Sequence, residues 1–171
     1  MWGVNAVDIE AEIPRLRRYA RALTREAVAA DDLVQDTLER AWGRLHLWRR
    51  GSNLRAWLFT ILHNLHANQV RAAKARPELT TLTEWEVSGS RRPEQEDGLK
   101  VRGLAQALAV LPEEQRQVVL LGGLEDMTYE QVAEVLGIPI GTVMSRLSRG
   151  RERLRRLLAG EEQPVVARGL E

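Results

Sequence analysis

The sequence predicts an all-α protein of two small helical domains joined by a flexible linker. Three observations carry that prediction. Apolar residues recur at three- and four-residue spacing along most of the chain, the signature of helices with one buried face. Strand-like alternation is almost absent, and no internal repeat is visible. Between Glu78 and about Gly98 the period disappears while Ser, Gly, Pro and acids accumulate, which is linker chemistry. The expected boundaries are a first domain over 1–77, a linker over 78–98, a second domain over 99–160 and a tail over 161–171.

Taken in order, Ile13, Leu16, Tyr19, Ala20 and Leu23 form the first apolar stripe, opposite Arg15, Arg17, Arg18, Arg21 and Arg25. Pro14 suits a first helical turn, so regular helix is expected to begin there rather than at Ile9. A second helix is expected to start at Asp31 and Asp32, acids suited to a helix N-terminus, and to bury Leu33, Val34, Leu38, Ala41, Trp42 and Leu45. Gly51, Ser52 and Asn53 close a loop that starts at Leu47. A third helix from Leu54 to about Ala75 offers Leu54, Trp57, Leu58, Ile61, Leu62 and Leu65, and Pro77 stops it.

Past the linker, Leu99, Leu104, Leu108 and Leu111 mark a fourth helix. Pro112 opens the next, with Glu113 and Glu114 in its first turn, Val118 to Leu121 as its core and Gly122-Gly123 as its end. Thr128 with Gln131 three residues on makes a capping-box pattern, Ala133 allows a close crossing, and Gly137 permits a tight turn. Pro139 opens a last helix that buries Val143, Leu147, Leu154, Leu157 and Leu158. Two apolar-striped helices around a glycine turn are the sequence form of a helix-turn-helix.

Composition narrows the function. The chain has 171 residues, a net charge of +1 and no cysteine, which excludes disulfides, thiolate zinc sites and cysteine nucleophiles. The opening MWGVNAVDIEAE lacks a signal peptide's basic and apolar regions, and no run approaches the ~20 apolar residues of a membrane span, so a soluble cytoplasmic protein is expected. No Ser-His-Asp set, Gly-rich phosphate loop or paired carboxylates announce catalysis, and His46, His63 and His66 lack the further ligands and supporting shell of a metal site. The chain therefore reads as a non-enzyme without cofactor or metal.

The charge is segregated. All basic residues except Lys74 and Lys100 are arginines, and six of them lie in the last helix against Glu152. Thr142, Ser145, Arg146 and Arg149 point outward near that helix's N-terminus, where a recognition helix meets base edges in the major groove. Arg151, Arg153, Arg155 and Arg156 suit phosphates or plain solvation. In the first domain Trp48, Asn53, Arg55, Trp57, Phe59, Thr60 and Asn64 bring rings, amides and a guanidinium close together, as single-stranded bases require. Trp57 is spaced as core, and Asn64 is either a base reader or a solvated amide. Asp31, Asp32, Gln35, Asp36 and Glu39 are either a solvated helix start or a docking face for a basic helix. Trp85, inside the linker, has three readings open to it: packed on a domain, bound to a partner, or a lone apolar residue.

Four segments in register resemble the extracytoplasmic-function (group IV) sigma factors: DDLVQDTLERAW (31–42), LRAWLFTILHN (54–64), LPEEQRQVVLL (111–121) and YEQVAEVLGIPIGTVMSRLSRGRERL (129–154). The RLRRYARALT opening and LRAWLFTILHN look most like the subgroups that include alphaproteobacterial general-stress sigma factors. The resemblance implies a sigma region 2-like domain of three to four helices and a region 4-like helix-turn-helix domain. It implies an alternative sigma factor that directs RNA polymerase core to −35/−10 promoters, in a stress response. Asp32, Gln35 and Asp36 match positions that dock on the polymerase β′ clamp coiled coil. Trp48, Asn53, Thr60 and Asn64 match the element that opens the −10 region, Asn64 falling on its base-reading asparagine. Ser145, Arg146 and Arg149 fall on the −35 face, beside outward-pointing Thr142; Met144 departs, since many relatives carry a basic residue there, and either touches a thymine methyl or merely packs. The implied partners are polymerase core (β′ clamp and β flap), promoter DNA and an anti-sigma factor, with no membrane. The competing reading is a stand-alone helix-turn-helix regulator, for which 1–77 looks too small and too basic to be a sensor; a sigma mimic need not keep the arginine face.

Overall fold

The computed structural model describes residues 6–49, 51–75 and 96–162. Every regular element among them is helical: α1 (Ala6–Thr24), α2 (Ala27–Gly43), a short 3-10 turn (Leu45–Leu47), α3 (Leu54–Lys74), α4 (Glu96–Val110), α5 (Glu113–Val119), α6 (Tyr129–Leu136) and α7 (Ile140–Leu158). Trp85 and most of the expected linker and tail lie outside the described residues.

Helices α1 to α3 close the first core. Leu16, Tyr19, Leu23, Leu33, Leu58, Phe59 and Leu62 are almost entirely removed from water. Burying a side chain of this size contributes about 1.5–3 kcal/mol each before chain entropy is counted. Tyr19 and Phe59 lock α1 to α3, their rings tilted by 54° at a centroid separation of 5.3 Å.

Several boundaries differ from the sequence expectation. Pro14 lies inside α1 rather than at its start, because buried Ile9 anchors the turn before it to the core. Helix α2 begins four residues before Asp31: Glu26 caps it, its two carboxylate oxygens accepting from Val28 N at 2.9 Å and Ala29 N at 2.8 Å. Helix α4 starts at Glu96, so residues 96–98 of the expected linker are helical.

In the second half, the helical path that starts with α5 continues past its expected end as a separate turn. Gly122 and Gly123 lie within a wider π-type turn, Leu120–Leu124, in which Glu125 N bonds Leu120 O at 3.1 Å. Thr128 caps α6 as its spacing predicts: its hydroxyl accepts from Gln131 N at 3.2 Å and the Gln131 carboxamide accepts from Thr128 N at 2.9 Å. Gly137 ends α6 at φ +64, a left-handed geometry that favours glycine, while Ile138 N closes back on Ala133 O. Helix α7 then crosses α5, with Val143, Leu147 and Gly150 buried. Leu104 and Leu158, expected inside, are 40% and 52% exposed; Leu111, just past α4, is buried as its spacing predicts, and Ala107 of α4 faces inward as well.

The two halves touch. Helix α6 packs on α3, and α1 on the Leu120–Leu124 turn, so one apolar cluster runs through both.

Candidate polymerase- and nucleic-acid-binding surfaces

Three surfaces present polar groups that the fold itself does not consume. The first lies on α2. Leu33, Val34, Thr37 and Ala41 face the core, which turns Asp32, Gln35, Asp36 and Glu39 outward in one row. Among the described residues this row makes no ion pair or hydrogen bond, whereas neighbouring Asp31 is engaged by Arg17 at 3.1 Å and Arg21 at 3.9 Å. Trp42 extends the same row and is 54% exposed, which corrects its expected burial. Its position three residues after Glu39 places it on the acid stripe, a signal already present in the spacing.

The second surface runs along α3, where Asn53, Trp57, Thr60 and Asn64 share one side at i, i+4, i+7 and i+11. Asn53 spends its side-chain oxygen capping the helix, accepting from Ala56 N at 3.1 Å, and the Thr60 hydroxyl donates to Ala56 O at 2.8 Å. Asn64 is exposed and makes no hydrogen bond among the described residues. Trp57 is half-buried against the core, and Trp48 is half-buried with its indole N–H unsatisfied. Phe59 and Arg55 leave the group: Phe59 is core, and Arg55 pairs with Glu12 at 3.2 Å.

The third surface is α7. Ser145 and Arg149 are exposed and adjacent, the Arg149 Nε donating to Ser145 O at 3.2 Å and the Ser145 hydroxyl to Thr142 O at 3.1 Å. Arg146 leans instead to α5, reaching Glu114 at 3.2 Å. Further along, Arg153, Arg155 and Arg156 are partnered by Glu152, Glu161 and Glu162, leaving Arg149 and Arg151 as the arginines of α7 with no carboxylate among the described residues. Met144 is 53% exposed on the α6 side of the helix, where it borders an open groove of about 400 Å³ with Tyr129, Ser148 and Arg151.

Residues 9–63 match the family described as the Sigma2 domain of PhyR, and 102–154 match Sigma-70, region 4. The chain is 40% identical over 151 residues to the ECF RNA polymerase sigma factor EcfG of Rhodopseudomonas palustris (strain TIE-1), covering 88% of this chain and 83% of that one. This chain belongs to the ECF RNA polymerase sigma factors. It is also 34% identical to SigC of Mycobacterium tuberculosis over 74% of its own length and 68% of that relative's. Among solved structures it resembles the sigma factor RpoE of Bartonella quintana, crystallised with the anti-sigma factor NepR, at a TM-score of 0.79 and 36% identity, covering 91% and 97% of the two chains.

One polar cluster of this sigma factor was not visible from its sequence. Glu125, fully buried, accepts from Arg18 Nε at 2.9 Å and lies 4.0 Å from Arg15, while Arg18 also donates to Leu124 O at 3.3 Å. Burial pushes the Glu125 carboxyl above its ordinary value, and the two arginines pull it back. Nearby, His66 Nε2 meets Glu113 at 3.1 Å, and Gln117 donates to the same carboxylate oxygen. Burial lowers the His66 pKa against the pull of Glu113; burial and the neighbouring His66 lower that of His63. No described helix is long and apolar enough to cross a membrane.

Proposed function

We propose that this sigma factor docks on RNA polymerase core through the Asp32–Gln35–Asp36 face of α2, reads a −35 duplex with α7, and opens a −10 element with α3. The supporting observation is that the three faces lie on three different elements and each keeps groups with no tertiary partner among the described residues: the α2 acids, the Asn64 amide, and Ser145 with Arg149, which bond only along α7. Acids fit a basic coiled coil. An exposed carboxamide fits the edge of an unstacked base. A serine and an arginine near a recognition helix's N-terminus fit guanine and phosphate in the major groove. Thr142 belongs to the same −35 face, Arg146 and Met144 lie at its two edges, Asn53 and Thr60 share Asn64's side of α3, and Trp48 lies in the segment that precedes that helix.

Neither DNA reader need bind tightly. Two weak sites on one tether gain from effective concentration once both engage, and the polymerase fixes their separation. Melting costs a few kcal/mol for each unstacked base, offset when the extruded base is trapped. The sigma factor acts in the cytoplasm on promoter DNA. The RpoE–NepR structure supports control by an anti-sigma factor, and the resemblance of the RLRRYARALT and LRAWLFTILHN segments to the general-stress subgroups supports a stress-response role. Run-off transcription with purified core on promoters carrying single −10 substitutions tests this reading. The expected result is core-dependent transcription that collapses at one or two −10 positions; uniform tolerance would remove the α3 assignment.

A further inference from the structure

We propose that Glu125 is a latch: inserted against Arg18 and Arg15, it holds the region 4 unit on the region 2 unit and keeps the free sigma factor closed. The proposal rests on the sigma-factor reading above. Its geometry is direct. The Glu125 carboxylate belongs to the turn that follows α5, is 0% exposed, and finds its partners 107 and 110 positions away in sequence, on α1 of the other unit. His66 of α3 and Glu113 of α5 make a second polar contact across the same seam at 3.1 Å.

A buried ion pair contributes little net stability compared with apolar packing of the same volume, and its best-attested use is to specify one arrangement or switch between two. Polar contacts between domains also suit a seam that opens, because each group regains water when they part. Arg15 and Arg18 are already 38% and 49% exposed, so release strands no cation in the interior.

Closure and promoter binding are geometrically incompatible. Packed helices lie about 8–10 Å apart, so α3 on α6 and α6 beside α7 keep Asn64 and Ser145 within roughly 30 Å. Elements at −10 and −35 are separated by about 25 base pairs, or about 85 Å at 3.4 Å per base pair. The roughly 20 residues between Ala75 and Glu96 can span about 70 Å when fully extended, enough tether for the units to part. The α2 docking row is exposed and makes no ion pair or hydrogen bond among the described residues, so core can capture the closed chain first and engage region 4 only after release. The latch thereby taxes two-site binding by the fraction of molecules that are open.

The absence of cysteine allows a clean test. Ala75→Cys and Ala159→Cys, both at exposed positions, carry a donor–acceptor pair on the full chain. Energy transfer and affinity for core polymerase are read in the otherwise wild-type chain, in Glu125→Gln, and in Arg15→Gln with Arg18→Gln; circular dichroism verifies that each remains helical. Both variants are expected to lower transfer efficiency and to bind core about threefold to tenfold more tightly, with promoter choice unchanged. Combining the variants should add little, since both remove one contact. Unchanged transfer in both variants would overturn the latch; an opened chain with unchanged or weaker core affinity would overturn its inhibitory role. If the wild-type chain binds neither core nor promoter, the sigma reading and the inhibitory role fail together, while the transfer efficiencies still decide whether Glu125 joins the units.

Discussion

Gly150 of α7 lies directly beneath Val119 of α5: a Cβ placed on Gly150 would stand 2.8 Å from Val119 Cγ2 and 3.4 Å from the Gln115 backbone oxygen. The crossing of the two helices, and with it the position of the proposed −35 reading face, depends on that missing methyl.

Gly150→Val should therefore destabilise region 4 by about 1–3 kcal/mol, the usual cost of overpacking a filled core. Chemical denaturation measures it. Val119→Ala opens space at the same spot, so the two substitutions together should cost less than the sum of their separate effects, by about 0.5 kcal/mol or more.

The pairing pattern on α7 ranks its arginines. Arg149→Ala should cost about 1–3 kcal/mol of discrimination between a cognate and a mutated −35 duplex. Arg151→Ala should weaken binding to all duplexes alike and reduce the salt slope by about one unit. Glu114→Ala frees Arg146 from its 3.2 Å ion pair and should strengthen duplex binding. Fluorescence anisotropy across a salt series separates the three outcomes.

Much of this was legible in the sequence, for identifiable reasons. The Thr128 box and the Gly137 turn are local, so spacing alone places them. The α2 start was missed because Glu26 caps with a longer side chain than the usual Ser, Thr, Asp or Asn. Gly122-Gly123 failed as a stop because Leu120 and Leu121 are pinned in the core and carry the backbone through a wider turn. Gly150, Glu125 and His66 owe their environments to helices far away in sequence, and no periodicity reports that. The Asn53–Trp57–Thr60–Asn64 row followed from helical spacing, whereas the burial of Phe59 depends on Tyr19 across the core.

The α2 face gives a prediction that distinguishes docking from folding. Asp32→Arg with Asp36→Arg should abolish core binding while sparing binding to an isolated −35 duplex. Trp42→Ala should weaken core binding by about 2 kcal/mol, as an aromatic anchor does, with little change in unfolding midpoint because the ring is 54% exposed. A large loss of stability in Trp42→Ala would return that residue to the core.

His66 predicts a pH dependence. Its ordinary value of 6.5 applies to the unfolded chain, and burial lowers it in the folded one, so the unfolded chain takes up a proton that the folded chain resists. Stability should fall as pH drops through 6.5 toward the folded value and level off below it. Glu125 works with the opposite sign: its raised value favours the folded state as pH falls toward 4.5. Comparing thermal midpoints of wild type and His66→Gln at about pH 7.5 and about pH 5.5 isolates the histidine, and the variant should show the flatter profile. Glu113, Arg116 and His63 surround the ring and remain common to both chains.

Together with polymerase core, this chain should produce a promoter specificity that neither has alone. Selection of transcribed fragments from a genomic library, with purified core and this sigma factor, tests it most directly. The expected start sites depend on both components and share two sequence blocks at fixed spacing, with the downstream block losing its selectivity in Asn64→Ala. Fragments bound by the chain without core, and no core-dependent start sites, would contradict it.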